Sequence, residues 1–486
     1  MTQMFVLLIL VGTISGAMLY GRHQAKSESV AEWAVGGRKL GFLVFWFLNA
    51  GEVYTTFAVL GISGFAWAHG APAYLAFCSV SLSAALGYWL TPLIWRAGRD
   101  RGLVTQADYF ADRYQARWLG VVVGIAGIAA LVMYVQIQIT ALSLVLRMTV
   151  GDVSPVVSAI AAATLMVAFV FFAGIRSAAF AAGVKDILMA VIMVILCTTV
   201  ASHVGASSIL DIFAKVEALH VGIGRLPGIQ PGAGLGEAWL MNQAISVAIG
   251  TYIFPHMFQL CFSASDEWTV RRNAIWQPIY SLSYFFIILL GLAALVAGVH
   301  PPGGDMNGAL LQFVSDRYPA WTIGVLIGTV YLLALVPGSV LLLTAGSIFS
   351  RNIYLQIWPQ TSERACLRIS RLAMIGFAAV AVWLTIDGSG SLVEIGLSAY
   401  KAIEMLAPGV FLGFLWRRTH AVGVAAGLAA GYAAMLWPWM VDTGAFAAEI
   451  DPALKAMLLN ALVTVVVSLT LPRRDHATAQ DALVTK

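Results

Sequence analysis

Charged residues are scarce in this sequence. Lys, Arg, Asp and Glu make up 11% of its 486 residues, whereas 60% are hydrophobic. Soluble domains carry about 25% charged residues, so this chain has too few to cover a water-exposed surface. A membrane-spanning helix needs about 20 mainly apolar residues, and a chain of this length has room for many. The composition excludes a large soluble domain and predicts an all-α polytopic membrane protein.

Cysteine is also rare, and the sequence lacks a ligand pattern for a metal. Its four cysteines, Cys78, Cys197, Cys261 and Cys366, lie in or near apolar segments without a Cys-x-x-Cys spacing. The absence of that spacing argues against a disulfide framework or a zinc site. His256 is the only histidine well inside an apolar segment, which argues against a haem subunit because haem usually needs a second facing histidine. We expect no enzyme activity, no metal site and no cofactor other than a coupling proton or sodium ion.

Apolar runs between charged residues divide the chain into thirteen predicted helical spans. We number them span 1 to span 13, and their approximate ranges are 4–20, 41–68, 72–95, 118–146, 155–173, 179–203, 241–262, 278–299, 321–349, 368–386, 391–416, 420–441 and 454–472. Each span must be helical because an unpaired backbone group in lipid costs several kcal/mol. We expect span 1 to be a membrane helix rather than a signal peptide, since its basic residues, Arg22 and Lys26, follow the apolar run rather than precede it.

Basic residues are unevenly distributed between the two sides of these spans. With the N-terminus outside, 21 of the 28 Lys and Arg residues fall in cytoplasmic segments and two, Lys185 and Lys401, fall inside spans. The five in outer segments are Arg147, Lys215, Arg225, Arg317 and Lys455. Cytoplasmic loops of membrane proteins are enriched in Lys and Arg. The distribution therefore predicts an outer N-terminus and a cytoplasmic C-terminus.

Two spans contain small or helix-breaking residues near their middle. Span 2 contains Asn49-Ala50-Gly51-Glu52, and span 7 contains the run from Gly250 to His256, with Pro255 inside it. Each is the first member of a block of five spans, spans 2–6 and spans 7–11. Gly and Pro are common in membrane helices, but both breaks also carry polar groups that are costly there. Transporters often bind their substrate at such interrupted helices in two inverted halves.

Short motifs along nearly the whole chain match one family. They are Gly36–Gly41, Gly61–Ala66, Thr105–Tyr109, Arg113-Tyr114, Ala173–Arg176, Pro255-His256 and Ser350–Tyr354. Together they resemble the sodium:solute symporters, which have the leucine-transporter type of fold with a five-plus-five inverted repeat. The resemblance implies a single transmembrane transporter domain over residues 1–486. It places the first inverted repeat at 41–203 and the second at 241–416.

A second group of motifs resembles the bacterial monocarboxylate permeases within that family. They are Trp46–Leu48, Tyr54-Thr55, Val184–Ile187, Arg272–Ile275 and Ala334–Pro337. The resemblance implies uptake of a lactate- or pyruvate-like monocarboxylate, or a small amino acid such as alanine, by alternating access across a bacterial inner membrane. The expected partners are this small solute and the lipid bilayer, without nucleic acid or an obligate protein partner. The alternatives are sodium symport of proline, acetate or pantothenate, a channel, and, more distantly, a transporter-like sensor.

The sequence departs from the family where most members bind sodium. There a Ser/Thr pair of span 9 supplies hydroxyl oxygens, which hard cations prefer, but this chain has Val336 and Pro337. An aspartate of span 6 in many relatives is replaced by Ala182. These two differences argue against ordinary sodium coupling.

Two ionisable residues are candidates to replace sodium. Lys185 lies three residues after Ala182 and on a similar face of its helix, so its ammonium group is a candidate for the space that sodium leaves. Glu52 lies at the break in span 2. Ionisable groups inside a span are costly and tend to be functional, which favours proton coupling through Glu52 and Lys185. The alternative is that Lys185 and Asp186 are structural or snorkel to the inner surface.

By the family's geometry, the substrate lies at the breaks of spans 2 and 7 and is enclosed by spans 4 and 11. The predicted substrate-binding residues are Gly51, Tyr54, Thr55, Tyr134, Gln138, Thr251, Tyr252 and His256. Gly51 is expected to let the substrate approach the backbone. Gln138 has the alternative of pairing across helices, and His256 that of a packed hydrogen-bonding residue. Lys401 and Glu404, three residues apart in span 11, are expected to neutralise one another as a structural pair, with a gate as the alternative.

Overall fold

The structure, a computed structural model, describes residues 1–24, 30–151, 153–387, 390–444 and 447–472. These residues form helices joined by short turns. The α-helices are α1 (Thr2–Gln24), α2 (Val30–Val35), α3 (Phe42–Asn49), α4 (Ser63–His69), α5 (Leu75–Arg101), α6 (Gln106–Arg113), α7 (Arg117–Val150), α8 (Pro155–His203), α9 (Ile209–Leu219), α10 (Glu237–Thr251), α11 (Pro255–Ser263), α12 (Glu267–Trp276), α13 (Pro278–Val296), α14 (Ala309–Arg317), α15 (Ala320–Ile348), α16 (Leu355–Ile357), α17 (Glu363–Asp387), α18 (Leu392–Glu404), α19 (Ala407–Leu415), α20 (Ala421–Leu436) and α21 (Pro452–Thr470).

Many of these helices are long and apolar enough to cross a membrane. Within the described ranges, eight continuous segments meet this condition, and three further pairs of helices do so together. The pairs are bent by 42° between Phe42–Glu52 and Phe57–His69, by 44° between α10 and α11, and by 42° between α18 and α19. Two shorter apolar helices cover Pro155–Phe171 and Ala421–Leu436. The prediction of an all-α membrane protein with several apolar helices is confirmed.

The bends occur where the sequence cannot continue a regular helix. After α3 the chain forms a 3₁₀ turn, Ala50–Val53, and a π-helical turn, Phe57–Ile62, before α4 begins. Pro255 and Pro408 lie in the first turns of α11 and α19. Proline is tolerated there because the first N–H groups of a helix have no partner within it. The bends expected in spans 2 and 7 are therefore present.

α15 is the most buried of the long apolar helices in the described ranges. Every residue from Leu326 to Ile348 is buried, and the helix packs against α1, α7, α8 and α17. A Cβ on Gly328 would come within 2.9 Å of the Ile9 side chain of α1. Small residues allow such close packing between membrane helices.

α8 contains the segments predicted as spans 5 and 6. They are separated at Gly174, which has φ 61° and ψ −177°. Glycine adopts this conformation without the steric cost that a Cβ would add. A Cβ there would also lie 2.8 Å from Trp33 Cδ1. The second segment carries Lys185 and Asp186 towards the break after α3.

Candidate functional site

The break after α3 is in contact with α8. Lys185 of α8 donates hydrogen bonds from Nζ to the backbone oxygens of Gly51, at 2.7 Å, and Tyr54, at 2.8 Å. Its ammonium group also pairs with Asp186 Oδ1 at 2.9 Å. Carbonyl and carboxylate oxygens are the ligands that hard cations take in proteins. A fixed ammonium group therefore occupies a set of oxygens that suits a small cation.

Neither member of this ion pair reaches water. The side chains of Lys185 and Asp186 are 1% and 2% exposed. The snorkelling alternative requires the charged end to extend to the membrane surface, and these values contradict it. Asp186 Oδ2 accepts a hydrogen bond of 2.8 Å from the Tyr280 hydroxyl, so both charges are compensated inside the protein.

Gly51 allows a close contact between the break and α8. A Cβ on Gly51 would lie 2.4 Å from Asp186 Oδ2, so the glycine lets this carboxylate approach. The predicted close approach of a substrate to Gly51 stays a prediction. The Tyr54 ring packs against the Tyr280 ring, with 4.8 Å between their centroids. Neither Gly51 nor Tyr54 is among the residues that line the cavity described in the next paragraph.

A cavity of about 50 Å³ lies between α3 and the break after it, α5, α7, α10, α11, α13 and α18. We call it the central cavity. It is lined by Asn49, Glu52, Thr55, Phe57, Ser79, Val80, Ser83, Tyr134, Val247, Thr251, Phe254, His256, Met257, Gln277, Tyr284 and Tyr400. Five of the predicted site residues thus come together: Glu52, Thr55, Tyr134, Thr251 and His256. Their hydroxyl, carboxyl and imidazole groups suit a small polar solute.

Glu52 and His256 face each other across the two breaks. Glu52 Oε2 lies 3.8 Å from His256 Nε2, and the side chains are 9% and 3% exposed. Glu52 Oε2 and His256 Nδ1 have no hydrogen-bond partner among the described residues. Buried polar atoms are nearly always hydrogen-bonded. These two atoms are therefore available to a bound proton or a solute.

Two further predicted residues lie beside the central cavity but face other partners. Gln138 of α7 is fully buried, and its Oε1 accepts a 2.7 Å hydrogen bond from Thr56 Oγ1. This contact is the cross-helix pairing given as its alternative. Tyr252 donates a 2.5 Å hydrogen bond to Gln277 Oε1 and packs against Gly87. Both residues therefore contact neighbours of the central cavity and do not line it.

Several lining residues escaped the sequence prediction. Ser83 of α5 makes a 3.0 Å hydroxyl contact with Thr251. Tyr400 of α18 packs against Phe254 and Tyr134, with ring centroids 5.1 Å and 6.1 Å away. The i,i+4 spacing of Ser79 and Ser83 in span 3 was a usable signal for one polar helix face. Tyr400 gave no comparable signal, because tyrosine also packs as an ordinary apolar residue.

The expected pair between Lys401 and Glu404 does not form. Lys401 instead pairs with Asp451 at 2.8 Å, and Asp451 also accepts a hydrogen bond from Gln243. Glu404 is fully buried, and its carboxylate accepts a hydrogen bond from the Ser246 hydroxyl. The three-residue spacing allows a contact, but the neighbouring α10 and the start of α21 supply better-placed partners.

Comparison with known sequences identifies relatives along almost the whole chain. Residues 33–431 match the sodium:solute symporter family. The chain is 30% identical to an uncharacterized symporter, YhjB, of Bacillus subtilis (strain 168), over 98% of this chain and 99% of that protein. A monocarboxylate transport permease protein of Rhizobium johnstonii is 24% identical, over 97% of this chain and 96% of its own length. These matches confirm the family resemblance that the motifs predicted.

Comparison with solved structures supports the fold. A Na⁺-coupled sialic acid symporter in a substrate-bound outward-open state superposes with a TM-score of 0.78, and the match covers 98% of this chain and 99% of that chain. Sequence identity over this match is 14%, so the likeness concerns the fold. Family and fold are those of membrane transporters rather than enzymes, and the relatives named above are bacterial.

Proposed function

Because the chain belongs to the sodium:solute symporter family, we propose that it is a proton-coupled secondary transporter of a small monocarboxylate. The preferred solutes are of the lactate and pyruvate class, and a small amino acid such as alanine is a further candidate. One relative carries the name monocarboxylate transport permease protein, which supports this substrate class. Alternating access of the central cavity to the two sides of the membrane would move the solute.

The proposed architecture has thirteen spans. Eight single segments, three bent pairs and two shorter apolar helices together make this number. We place the first inverted repeat at 41–203 and the second at 241–416, with the N-terminus outside and the C-terminus in the cytoplasm of a bacterial cell. The similar bends in the first members of the two repeats, 42° and 44°, support this arrangement.

The proposal of proton coupling depends on one observation, the position of the Lys185 ammonium group. It donates to two carbonyl oxygens of the broken span and pairs with Asp186. A sodium ion at the same oxygens would meet a like charge at close range, which is strongly unfavourable in a buried site. Val336 and Pro337 are buried in α15, and neither side chain offers an oxygen. Sodium symport, the alternative, would need a different set of ligands.

Glu52 is the proposed site of the transported proton. Its side chain lines the central cavity, lies near His256 and leaves Oε2 without a hydrogen-bond partner in the described structure. A carboxylate in this position can take up a proton from one side of the membrane and release it on the other. His256 then serves as a neighbouring hydrogen-bonding group for the solute or for the proton.

The cavity itself favours a solute of few atoms. Pockets for drug-sized ligands measure about 300–1,000 Å³, whereas the central cavity measures about 50 Å³. The Thr55 hydroxyl and the His256 imidazole offer hydrogen-bonding groups to a carboxylate, and Phe57 and Phe254 offer apolar surface to a methyl group. Lactate and pyruvate combine these two features.

Uptake by purified protein in sodium-free proteoliposomes tests the proposal. An imposed pH gradient, acidic outside, should drive accumulation of labelled pyruvate, because one pH unit supplies about 1.4 kcal/mol per proton. Glu52→Gln should abolish this accumulation but keep exchange of labelled for unlabelled pyruvate, since the solute still binds and moves. Glu394→Gln is the matched control. If added sodium were required for accumulation in the wild type, proton coupling would be wrong.

The solute class is tested by competition in the same vesicles. Unlabelled lactate, pyruvate, acetate, alanine and proline are added in excess during uptake of labelled pyruvate. The proposal expects strong competition by lactate and weaker competition by proline, which is larger and carries a ring that lactate and pyruvate lack. Uptake of proline but not of lactate or pyruvate would instead assign the chain to another solute of the family.

A further inference from the structure

A second cavity lies near the C-terminal end of α7. It measures about 420 Å³ and contains Arg147 in its lining. Arg147 is 30 residues beyond Arg117, the first residue of α7, so about 45 Å of helix separates them. We call this space the outer cavity, after the side on which the distribution of basic residues places it. None of its lining residues belongs to the central cavity.

The α7 side of the outer cavity carries two hydrogen-bond donors without partners. Thr140, Ser143 and Arg147 line it, and their spacing puts them on one helix face. Arg147 Nε and Thr140 Oγ1 are buried and have no hydrogen-bond partner in the described part of the chain. Ser143, by contrast, is engaged with Ser158 at 2.6 Å. Two unsatisfied donors, one of them charged, point to an anionic ligand.

Asp305 is the other charged residue of the lining, and it is held by a different partner. Its Oδ1 accepts hydrogen bonds from the backbone nitrogen of Asn307, at 3.0 Å, and from Asn307 Nδ2, at 2.8 Å. Among described residues, no carboxylate oxygen lies within ion-pair distance of Arg147. The cavity thus presents a guanidinium without an ion-pair partner among the described residues, beside a carboxylate whose Oδ1 is held by Asn307.

Apolar side chains of α7 and of the broken span form a partition between the outer cavity and the central cavity. Ile137 lies on α7 between Tyr134 of the central cavity and Thr140 of the outer cavity. At this level a Cβ on Gly396 of α18 would lie 2.7 Å from the Phe57 ring and 3.5 Å from Ile137 Cδ1. Phe57 itself lines the central cavity. Rotation of this one aromatic side chain would remove part of the partition.

From these observations we infer that the outer cavity is a first binding site for the carboxylate of the transported solute. Arg147 pairs with the carboxylate and Thr140 donates a hydrogen bond to it, before the solute passes Phe57 into the central cavity. This inference rests on the proposed function. It assigns Arg147 to capture of the anion, a step separate from the proton chemistry at Glu52.

Concentration-dependent uptake by four variants tests the inference. Arg147→Gln should raise the KM for external pyruvate about tenfold, the size expected for a lost charged hydrogen bond, and leave the maximal rate within about twofold. Arg147→Lys, which keeps the charge, should restore most of the affinity. Arg225→Gln removes an exposed arginine outside the cavity and should leave KM unchanged. Asp305→Asn should not raise KM, because Asp305 does not bind the anion.

An unchanged KM in Arg147→Gln, or an equal rise in Arg225→Gln, would overturn the inference. An equal rise in Asp305→Asn would also overturn it, since Arg147 and Asp305 would then act as a pair.

Thermal unfolding in detergent gives a readout independent of transport. Pyruvate, but not uncharged methyl pyruvate or chloride, should raise the unfolding midpoint of the wild type more than that of Arg147→Gln. An equal, Arg147-dependent rise with chloride would mean an inorganic-anion site and contradict the inference. Wild-type protein that accumulates no pyruvate would refute the proposed function, while the unfolding measurement would still judge the outer cavity.

Discussion

Lys185 and Asp186 form a buried ion pair that affects both the stability of the protein and its proposed transport. Lys185 joins α8 to the broken span through Gly51 and Tyr54, and Asp186 is fixed by Tyr280. Removing one member of a buried ion pair is strongly destabilising, because the other charge loses its compensation. Replacing both members by neutral groups avoids that cost. Comparing a single substitution with a double substitution therefore separates the effect of the ion pair on stability from its effect on transport.

We expect Lys185→Met to lower the free energy of unfolding by about 3–5 kcal/mol and to abolish pH-driven uptake. The double variant Lys185→Met/Asp186→Asn should recover most of the stability, since its asparagine can still accept from Tyr280, but not the uptake. Thermal unfolding in detergent and proteoliposome uptake measure the two effects. Lys401→Met is the control, because its pair with Asp451 is partly exposed and should contribute less than about 1 kcal/mol.

Wild-type pH dependence of uptake in the double variant would show that Lys185 has no part in coupling. Equal losses of stability in the single and double variants would show that the ion pair, rather than an uncompensated charge, accounts for the stability. These outcomes differ, so the structural and functional roles of Lys185 are judged separately.

At the scale of elements, the breaks were predictable and their partners were not. Gly51 and Pro255 mark the bends of spans 2 and 7 because they affect the backbone locally. The contact of Asp186 with Gly51, and the pairing of Glu404 with Ser246, depend on how distant helices pack. Such contacts bring together residues that are far apart in sequence. Helix periodicity does not indicate which distant helix a residue will contact. Gln138 lies on the face predicted, yet it faces Thr56 rather than the cavity.

The contact between α20 and α21 gives a test of packing outside the transport site. A Cβ on Gly427 of α20 would lie 2.0 Å from Thr464 Oγ1 and 2.6 Å from the backbone oxygen of Asn460. Gly427→Leu should therefore push the helices apart and destabilise the protein by about 1–3 kcal/mol or more. The control is Gly376→Leu on α17, where a Cβ meets no atom within 4 Å. Both are measured as shifts of the unfolding midpoint in one detergent, and equal shifts would contradict the packing seen here.

At the scale of the whole molecule, the coupling proposal fixes the charge that crosses the membrane in each cycle. If Lys185 and Asp186 stay paired throughout the cycle, the proposal makes the net charge moved that of the solute plus the proton on Glu52. Pyruvate carries one negative charge and moves with one proton, which makes its uptake electroneutral. Alanine is a zwitterion, and the same proton makes its uptake move one positive charge. The membrane potential supplies about 2.3 kcal/mol per charge per 100 mV, so the two solutes should respond differently to voltage.

We expect an inside-negative potential, imposed with valinomycin and a potassium gradient at a fixed pH gradient, to leave pyruvate accumulation unchanged. If alanine is a substrate, the same potential of about 60 mV should raise its equilibrium accumulation about tenfold, since that voltage supplies about 1.4 kcal/mol per charge. Vesicles without valinomycin control for the effect of potassium itself. Pyruvate accumulation that rises with the potential would require at least two cations per solute. That result would place a second coupling ion in the protein and leave Glu52 as only part of the pathway.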